Sequence, residues 1–154
     1  MKTNPCAEVL CKLNGKRLAT AESLTGGLIG GAITAVPGAS KVYAGGIVSY
    51  TNEVKHKLLG VSWEDLDSFG AVSAPVAKSM AVGAKKALEA DVAVSVTGLA
   101  GPDGDEFGHP VGTVFIGYAD EKTVIAREYH FDGDREQVRN QTIQAAMELI
   151  LEFN

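Results

Sequence analysis

Apolar positions recur along the chain with two periods, and each change of period marks an element boundary. Asn4 can cap a first helix with Pro5 at its first position, and Val9, Leu10 and Leu13 carry one apolar face as far as Asn14–Gly15. Arg17 to Glu22 predicts a strand, and Leu28 to Val36 a short buried helix stopped by Pro37–Gly38. Lys41 to Tyr50 predicts a strand broken at Gly45–Gly46, and Asn52 to Leu59 a helix ending at Gly60. Ser73 to Glu89 predicts a helix with Val76, Met80, Gly83, Ala84 and Ala87 on one face. Asp91 to Thr97 alternates Val92, Val94 and Val96 with small residues, as suits a central strand covered on both sides. After a Gly/Pro loop from Gly98 to Gly112, Thr113 to Ala119 and Thr123 to Phe131 predict a hairpin around Asp120–Glu121. Its second arm sets Val124, Ala126, Glu128 and His130 against Ile125, Arg127, Tyr129 and Phe131, an edge-strand pattern. Asp134 to Phe153 predicts the last helix, burying Val138, Thr142, Ala145, Ala146, Leu149, Ile150 and Phe153.

The order α-β-α-β-α-α-β-loop-β-β-α, with no repeat or linker, predicts one domain over residues 1–154. Its expected form is an α/β fold, a three-layer α/β/α sandwich with a mixed, mostly parallel sheet. Ligands of such folds bind at the C-terminal ends of strands. Two of those ends carry distinctive sequences, Glu22-Ser-Leu-Thr-Gly-Gly27 and Thr97-Gly-Leu-Ala-Gly-Pro102.

Composition narrows the function classes. A net charge of −5 argues against a general nucleic-acid binder, which carries a basic excess. No apolar run approaches the ~18 residues that cross a bilayer. Met1 to Asn14 has neither an uninterrupted apolar core nor a small-residue cleavage site, so no signal peptide is expected. Cys6 and Cys11 fall on different faces of the first helix and fit reduced thiols in a cytoplasmic protein. Most of the 18 glycines cluster at Gly26 to Gly31, Gly45–Gly46 and Gly98 to Gly112, where tight turns or a closely approached ligand are expected.

Ser23 sits where a strand turns into a helix, followed by Thr25-Gly26-Gly27. Unpaired amides at a helix start can hold a phosphate or a developing oxyanion. Equally, Ser23 or Thr25 can be a cap and the glycines a packing device. Lys55, in the first turns of a helix, is either a solvated surface residue or, if buried and neutral, a base that activates a serine. His56, His109 and His130 form no Ser-His-Asp pattern. The loop bearing Asp103, Asp105, Glu106 and His109 lacks the alternating ligands of a calcium loop and reads as a solvated acidic loop, so no metal is expected. Arg135 and Arg139 share a helix face and can clamp a phosphate or pair with neighbouring acids.

The ordered set Ala21-Glu-Ser-Leu-Thr-Gly-Gly27, Pro37-Gly-Ala-Ser40, Gly46-Ile-Val-Ser-Tyr-Thr-Asn-Glu-Val-Lys55, Leu58-Leu-Gly60 and Gly70-Ala-Val-Ser73 continues with Val94-Ser-Val-Thr-Gly-Leu-Ala-Gly-Pro102, Pro110-Val-Gly-Thr-Val114 and Gly133-Asp-Arg135. From about Leu18 to the C-terminus this resembles the CinA C-terminal domain, the nicotinamide-mononucleotide deamidase family. The chain resembles the stand-alone form, without the further N-terminal domain of larger members. The resemblance implies a serine amidohydrolase that converts nicotinamide mononucleotide to nicotinic acid mononucleotide and ammonia without a cofactor. It puts the catalytic roles on Ser23, Lys55 and Tyr50. It puts substrate binding on Thr97, Gly98 and the Arg135–Arg139 segment, either arginine being the phosphate ligand, and the glycine-rich strand ends add Thr25, Gly26, Gly27 and Gly101 as candidate substrate-binding residues. Leu24 departs from the cysteine common there in the family. A homo-oligomer is also implied. The rival reading is a non-catalytic nucleotide-binding or regulatory module of the same fold.

Overall fold

The computed structural model describes residues 4–154. The part of the leader reading that concerns residues 1–3 lies outside them. The elements run α1 (Pro5–Lys12), β1 (Leu18–Glu22), α2 (Leu28–Thr34), β2 (Tyr43–Val48), α3 (Asn52–Leu59), α4 (Trp63–Phe69), α5 (Ala74–Ala87), β3 (Val92–Gly98), β4 (Thr113–Ala119), β5 (Val124–His130) and α6 (Arg135–Glu152).

Local chemistry sets most boundaries. The Asn4 side chain accepts from the Cys6 amide at 2.9 Å and starts α1. Thr51 caps α3, and Gly60, with φ +70°, ends it in the left-handed conformation. Asp134 and Gln137 close a capping box at the start of α6. Two boundaries differ from expectation. A 3₁₀ turn at Ala39–Lys41 delays β2 to Tyr43. Helix α4 was not expected, because one buried leucine, Leu66, gives it almost no apolar period. Its local signature is nonetheless present: Ser62 caps it by accepting from the Asp65 amide, with Glu64 and Asp65 in its first turn.

The sheet order is β2-β1-β3-β4-β5. Strand β1 lies between β2 and β3, parallel to both, while β4 is antiparallel to β3 and β5. The sheet is therefore mixed: β1, β2, β3 and β5 run one way and β4 alone is reversed. Helices α1, α2 and α6 cover one face, packing Val9, Ile29 and Leu149 on the valines of β3. Helices α3, α4 and α5 cover the other, burying Leu59, Leu66 and Met80 against Ala19, Ala21 and Ala93. This is the three-layer sandwich, and β3 is covered on both sides as its composition suggested.

The buried face of α5 is rotated from the one predicted. Ala77 and Ala81 join Val76, Met80 and Ala84 in the core, whereas Ala87, at the helix end, is exposed. Helix α5 turns one side to the sheet and another to α3, where Gly83 lies against the Leu59 backbone, so its core side is broader than one stripe. On α6, Met147 is buried, and Phe153 is only partly so, its ring stacked on Tyr118 with centroids 4.9 Å apart. Cys6 is buried, Cys11 is exposed, and both are free thiols.

Candidate active site

The three parallel strands end side by side. The Ser23 amide, just beyond β1, donates to the Val96 carbonyl of β3 at 3.1 Å, and the Ser49 amide, just beyond β2, donates to Glu22 O at 2.7 Å. These bonds continue the ladder past the strands, so Ser23, Ser49 and Thr97 share one rigid shelf. An open cleft of about 700 Å³ lies above it, lined among others by Ser23, Tyr50, Lys55, Thr97, Gly98 and Arg135.

Lys55 is the unusual member. It lies four residues before Leu59 on α3, and these two are the buried residues of that helix. The side chain is 1 % exposed. Its Nζ donates to Ser23 Oγ at 3.0 Å, to the Ser49 carbonyl at 2.7 Å and to the Tyr50 carbonyl at 3.5 Å. No carboxylate pairs with it among the described residues. Burial without a counter-ion disfavours the ammonium, and the lysine pKa falls from its ordinary 10.5 to about 8. The cause is desolvation by burial.

The turn after Ser23 is built differently from the anion site expected of Thr25-Gly26-Gly27. Glu22, buried at the end of β1, turns its own carboxyl group onto the start of α2. Oε1 accepts from Thr25 Oγ1 at 2.6 Å, Gly27 N at 3.2 Å and Ile29 N at 2.9 Å, while Oε2 accepts from Gly30 N at 3.0 Å. Thr25 is thus a fully buried structural residue, and Gly27, with φ +107°, supplies a backbone conformation that other residues rarely adopt. None of Thr25, Gly26 and Gly27 lines the cleft, and the Gly27 amide is taken up by Glu22. The Leu24 and Thr25 amides are different: neither donates to an acceptor among the described residues, and Leu24 lines the cleft beside Ser23.

The two arginines separate. Arg135 lines the cleft, its Nη1 donating to the Gly101 carbonyl at 2.6 Å and its Nη2 to the Tyr50 hydroxyl at 3.4 Å. Arg139 turns away, with Nε on Leu24 O at 3.0 Å and Nη2 on Thr25 O at 3.3 Å. Tyr50 touches Lys55 through its carbonyl, while its ring stands 61 % exposed at the cleft mouth. Thr97 Oγ1 donates to Ala71 O at 2.9 Å and ties the shelf to the α4–α5 connection. Gly98 and Gly101 both line the cleft. A Cβ at Gly98 would come within 2.7 Å of the Thr113 carbonyl, so the close pairing with β4 requires glycine there.

Composition gave no sign of three further contributors. Glu22 as the plug of α2, the Ser49 carbonyl as a lysine acceptor, and the apolar wall of Leu66, Val72 and Phe107 all depend on strand pairing or on the loop's return to Gly70. Phe107 lies directly over Gly70, whose missing side chain makes room for the ring. In the acidic loop, Asp105 and His109 bind each other, Oδ2 to Nδ1 at 2.7 Å.

Comparison with known proteins gives one consistent result. The CinA C-terminal domain matches residues 4–154. A CinA-like protein of Geobacter metallireducens is 49 % identical over 139 residues, 90 % of this chain and 34 % of that protein. A CinA-like protein of Thermotoga neapolitana is 45 % identical over 139 residues, 90 % of this chain and 34 % of that one. The chain thus spans about a third of the length of these relatives. Among solved structures, a CinA superfamily protein of Escherichia coli superposes with a TM-score of 0.96 at 36 % identity, covering 98 % of this chain and 89 % of that one. The competence/damage inducible protein CihA of Agrobacterium tumefaciens superposes with a TM-score of 0.92 at 37 % identity, covering 99 % and 96 %.

Proposed function

The chain belongs to the CinA C-terminal domain family, and from that premise we propose that it hydrolyses the carboxamide of nicotinamide mononucleotide to nicotinic acid mononucleotide and ammonia. The observation that carries the proposal is the buried Lys55 Nζ at 3.0 Å from Ser23 Oγ, at the floor of the cleft.

The chemistry follows from the lysine's surroundings. A neutral amine has two hydrogens and one lone pair. The hydrogens meet the Ser49 and Tyr50 carbonyls, leaving the lone pair facing the Ser23 hydroxyl. Lys55 takes the hydroxyl proton as Ser23 Oγ bonds to the carboxamide carbon. The ammonium so formed then protonates the amide nitrogen, and ammonia leaves as the C–N bond breaks. Water attacks the resulting ester, gives a proton to Lys55, and Ser23 recovers its own from the lysine. The Ser23 amide is already bound to Val96, so the oxyanion falls to the acceptor-free Leu24 amide, on a residue that lines the cleft beside Ser23, with the acceptor-free Thr25 amide next along the chain. Arg135 reads the phosphate at the cleft mouth, and the wall of Leu66, Val72 and Phe107 takes the pyridine ring.

Incubation with nicotinamide mononucleotide tests the reading: ammonia and nicotinic acid mononucleotide should appear in equal amounts. Ser23→Ala should stay folded, since it deletes one oxygen, and release no ammonia. A folded Ser23→Ala variant with substantial activity would remove Ser23 as nucleophile. Binding without turnover by the wild-type chain would instead favour a nucleotide-binding module.

A further inference from the structure

We propose that Arg139 is a positioning residue: by holding the carbonyls of Leu24 and Thr25 it fixes the turn that carries Ser23, and so governs turnover rather than phosphate binding. The inference rests on the reading above for its substrate, though not for its geometry.

Residues 23–27 leave a strand and enter a helix, and every fixed point of that turn is visible. Ser23 N is held by Val96, Gly26 N by Ser23 O, and Gly27 N by the Glu22 carboxyl group. These bonds secure the side of the turn facing the sheet. On its other side, among the described residues, the Leu24 carbonyl accepts only from Arg139, and the Thr25 carbonyl accepts from Arg139 and from the Leu28 amide. The arginine is itself anchored, because its neighbour Val138 is fully buried in the α1/α2/α6 core. Its Nη2 lies 3.8 Å from the position a Cβ would take on Gly26, against a residue whose φ of +57° other side chains rarely adopt.

The guanidinium fork suits this task, since two N–H groups in one plane reach two successive carbonyls, which the single point charge of an ammonium does not do. The contact also acts through the peptide units. A cation on the Leu24 carbonyl polarises the Leu24–Thr25 peptide, whose N–H is one of the two acceptor-free amides beside the nucleophile. Arg135 and Arg139, four apart on one helix, therefore divide the work: one opens onto the cleft and the other holds its floor.

The experiment compares Arg139→Met, Arg139→Gln and Arg139→Lys with Arg135→Met, after melting curves have identified the folded variants. Each is assayed with nicotinamide mononucleotide, and by the rate at which Ser23 is phosphonylated by a fluorophosphonate, read by intact mass. Arg139 variants should lose about 100-fold in kcat, the scale of a nucleophile displaced by an ångström. Their KM should stay within about threefold of wild type, as expected when ground-state binding is untouched. Phosphonylation should slow in parallel, and added guanidinium ion should restore part of the Arg139→Met rate. Arg135→Met should do the reverse, raising KM while phosphonylation proceeds normally. Any folded Arg139 variant that is phosphonylated at the wild-type rate, or that changes KM alone, overturns the proposal. A wild-type chain that is phosphonylated on Ser23 but releases no ammonia overturns the substrate assignment and leaves the Arg139 comparison intact.

Discussion

The buried ammonium of Lys55 should cost the folded protein stability at neutral pH, and the cost should fade as pH rises. Burial lowers its pKa from 10.5 to about 8. Because the folded-state value is depressed, the unfolded chain binds this proton more tightly, and stability rises with pH between about 8 and 10.5. Below pH 8 the penalty is fully present, and above 10.5 it is gone. A difference of 2.5 in pKa corresponds to about 3 kcal/mol. Lys55→Met keeps the length of the stem and removes the charge. It also strips the buried Ser49 carbonyl of its 2.7 Å donor, which costs about 1–3 kcal/mol. At pH 7 the two effects oppose each other and leave the variant between equal to wild type and about 2 kcal/mol more stable. The pH dependence separates them, because the lost hydrogen bond does not titrate. Urea unfolding of both proteins at pH 7 and pH 10 should show wild type gaining about 2.5 kcal/mol on Lys55→Met. Contributions from other titrating groups cancel in the difference. A stability difference that stays constant over that range would mean Lys55 is solvated as an ordinary lysine, and the proposed base would go with it.

In the proposed mechanism the same pKa sets the rate. At pH 7 about one lysine in ten is neutral, against about one in three thousand for an unperturbed one. kcat/KM should therefore rise with pH and level off above about 8. Lys55→Arg should be as inactive as Lys55→Ala, since guanidinium stays protonated. Retained activity in Lys55→Arg would reduce the residue to a positive charge. Arg135→Ala should raise KM for nicotinamide mononucleotide about 10- to 100-fold, the worth of a charged hydrogen bond, and leave the poor reaction of free nicotinamide unchanged. An equal effect on both would mean the phosphate is not read. Glu22→Gln should lower stability by about 1.5–3 kcal/mol, because an amide nitrogen must then face an amide of α2. An unchanged urea midpoint would show that the helix start does not depend on the carboxyl group.

How far the chain could be read in advance follows from the range of each signal. Helices with a cap and an apolar stripe, such as α1 and α6, were legible to within a residue or two, because both signals are local, and α3 was bounded by its start at Asn52 and its stop at Gly60. The edge character of β5 was equally plain in its alternation. Helix α4 was missed although Ser62 caps it, since a single buried leucine gives no period to detect. The site divides in the same way. Ser23 at a strand end was conspicuous, whereas spacing alone gave no reason to bury Lys55, and its four-residue separation from Leu59 was the one available hint. The separate roles of Arg135 and Arg139 were out of reach. Both lie on one face of α6, and which one meets the cleft depends on where the β1–α2 turn ends in space.

That turn also decides where a phosphate can sit. A glycine-rich strand-to-helix turn ordinarily leaves its amides free, and a phosphate binds them. Here the site is filled from within, since Glu22 engages the Gly27, Ile29 and Gly30 amides and the Thr25 hydroxyl. An added phosphate would meet a negative charge and no unused donor in the first turn of α2. The phosphate of the proposed substrate is then assigned to the other side of the cleft, where Arg135 reaches Gly101 beside Tyr50. This arrangement has a chemical consequence. On the proposed reading, with the phosphate at the mouth and Ser23 on the floor, the ribose and pyridine would span the depth of the cleft and bring the carboxamide beside Lys55. The same carboxyl group leaves the Leu24 and Thr25 amides, just before the helix, without an acceptor among the described residues, as the proposed oxyanion site requires.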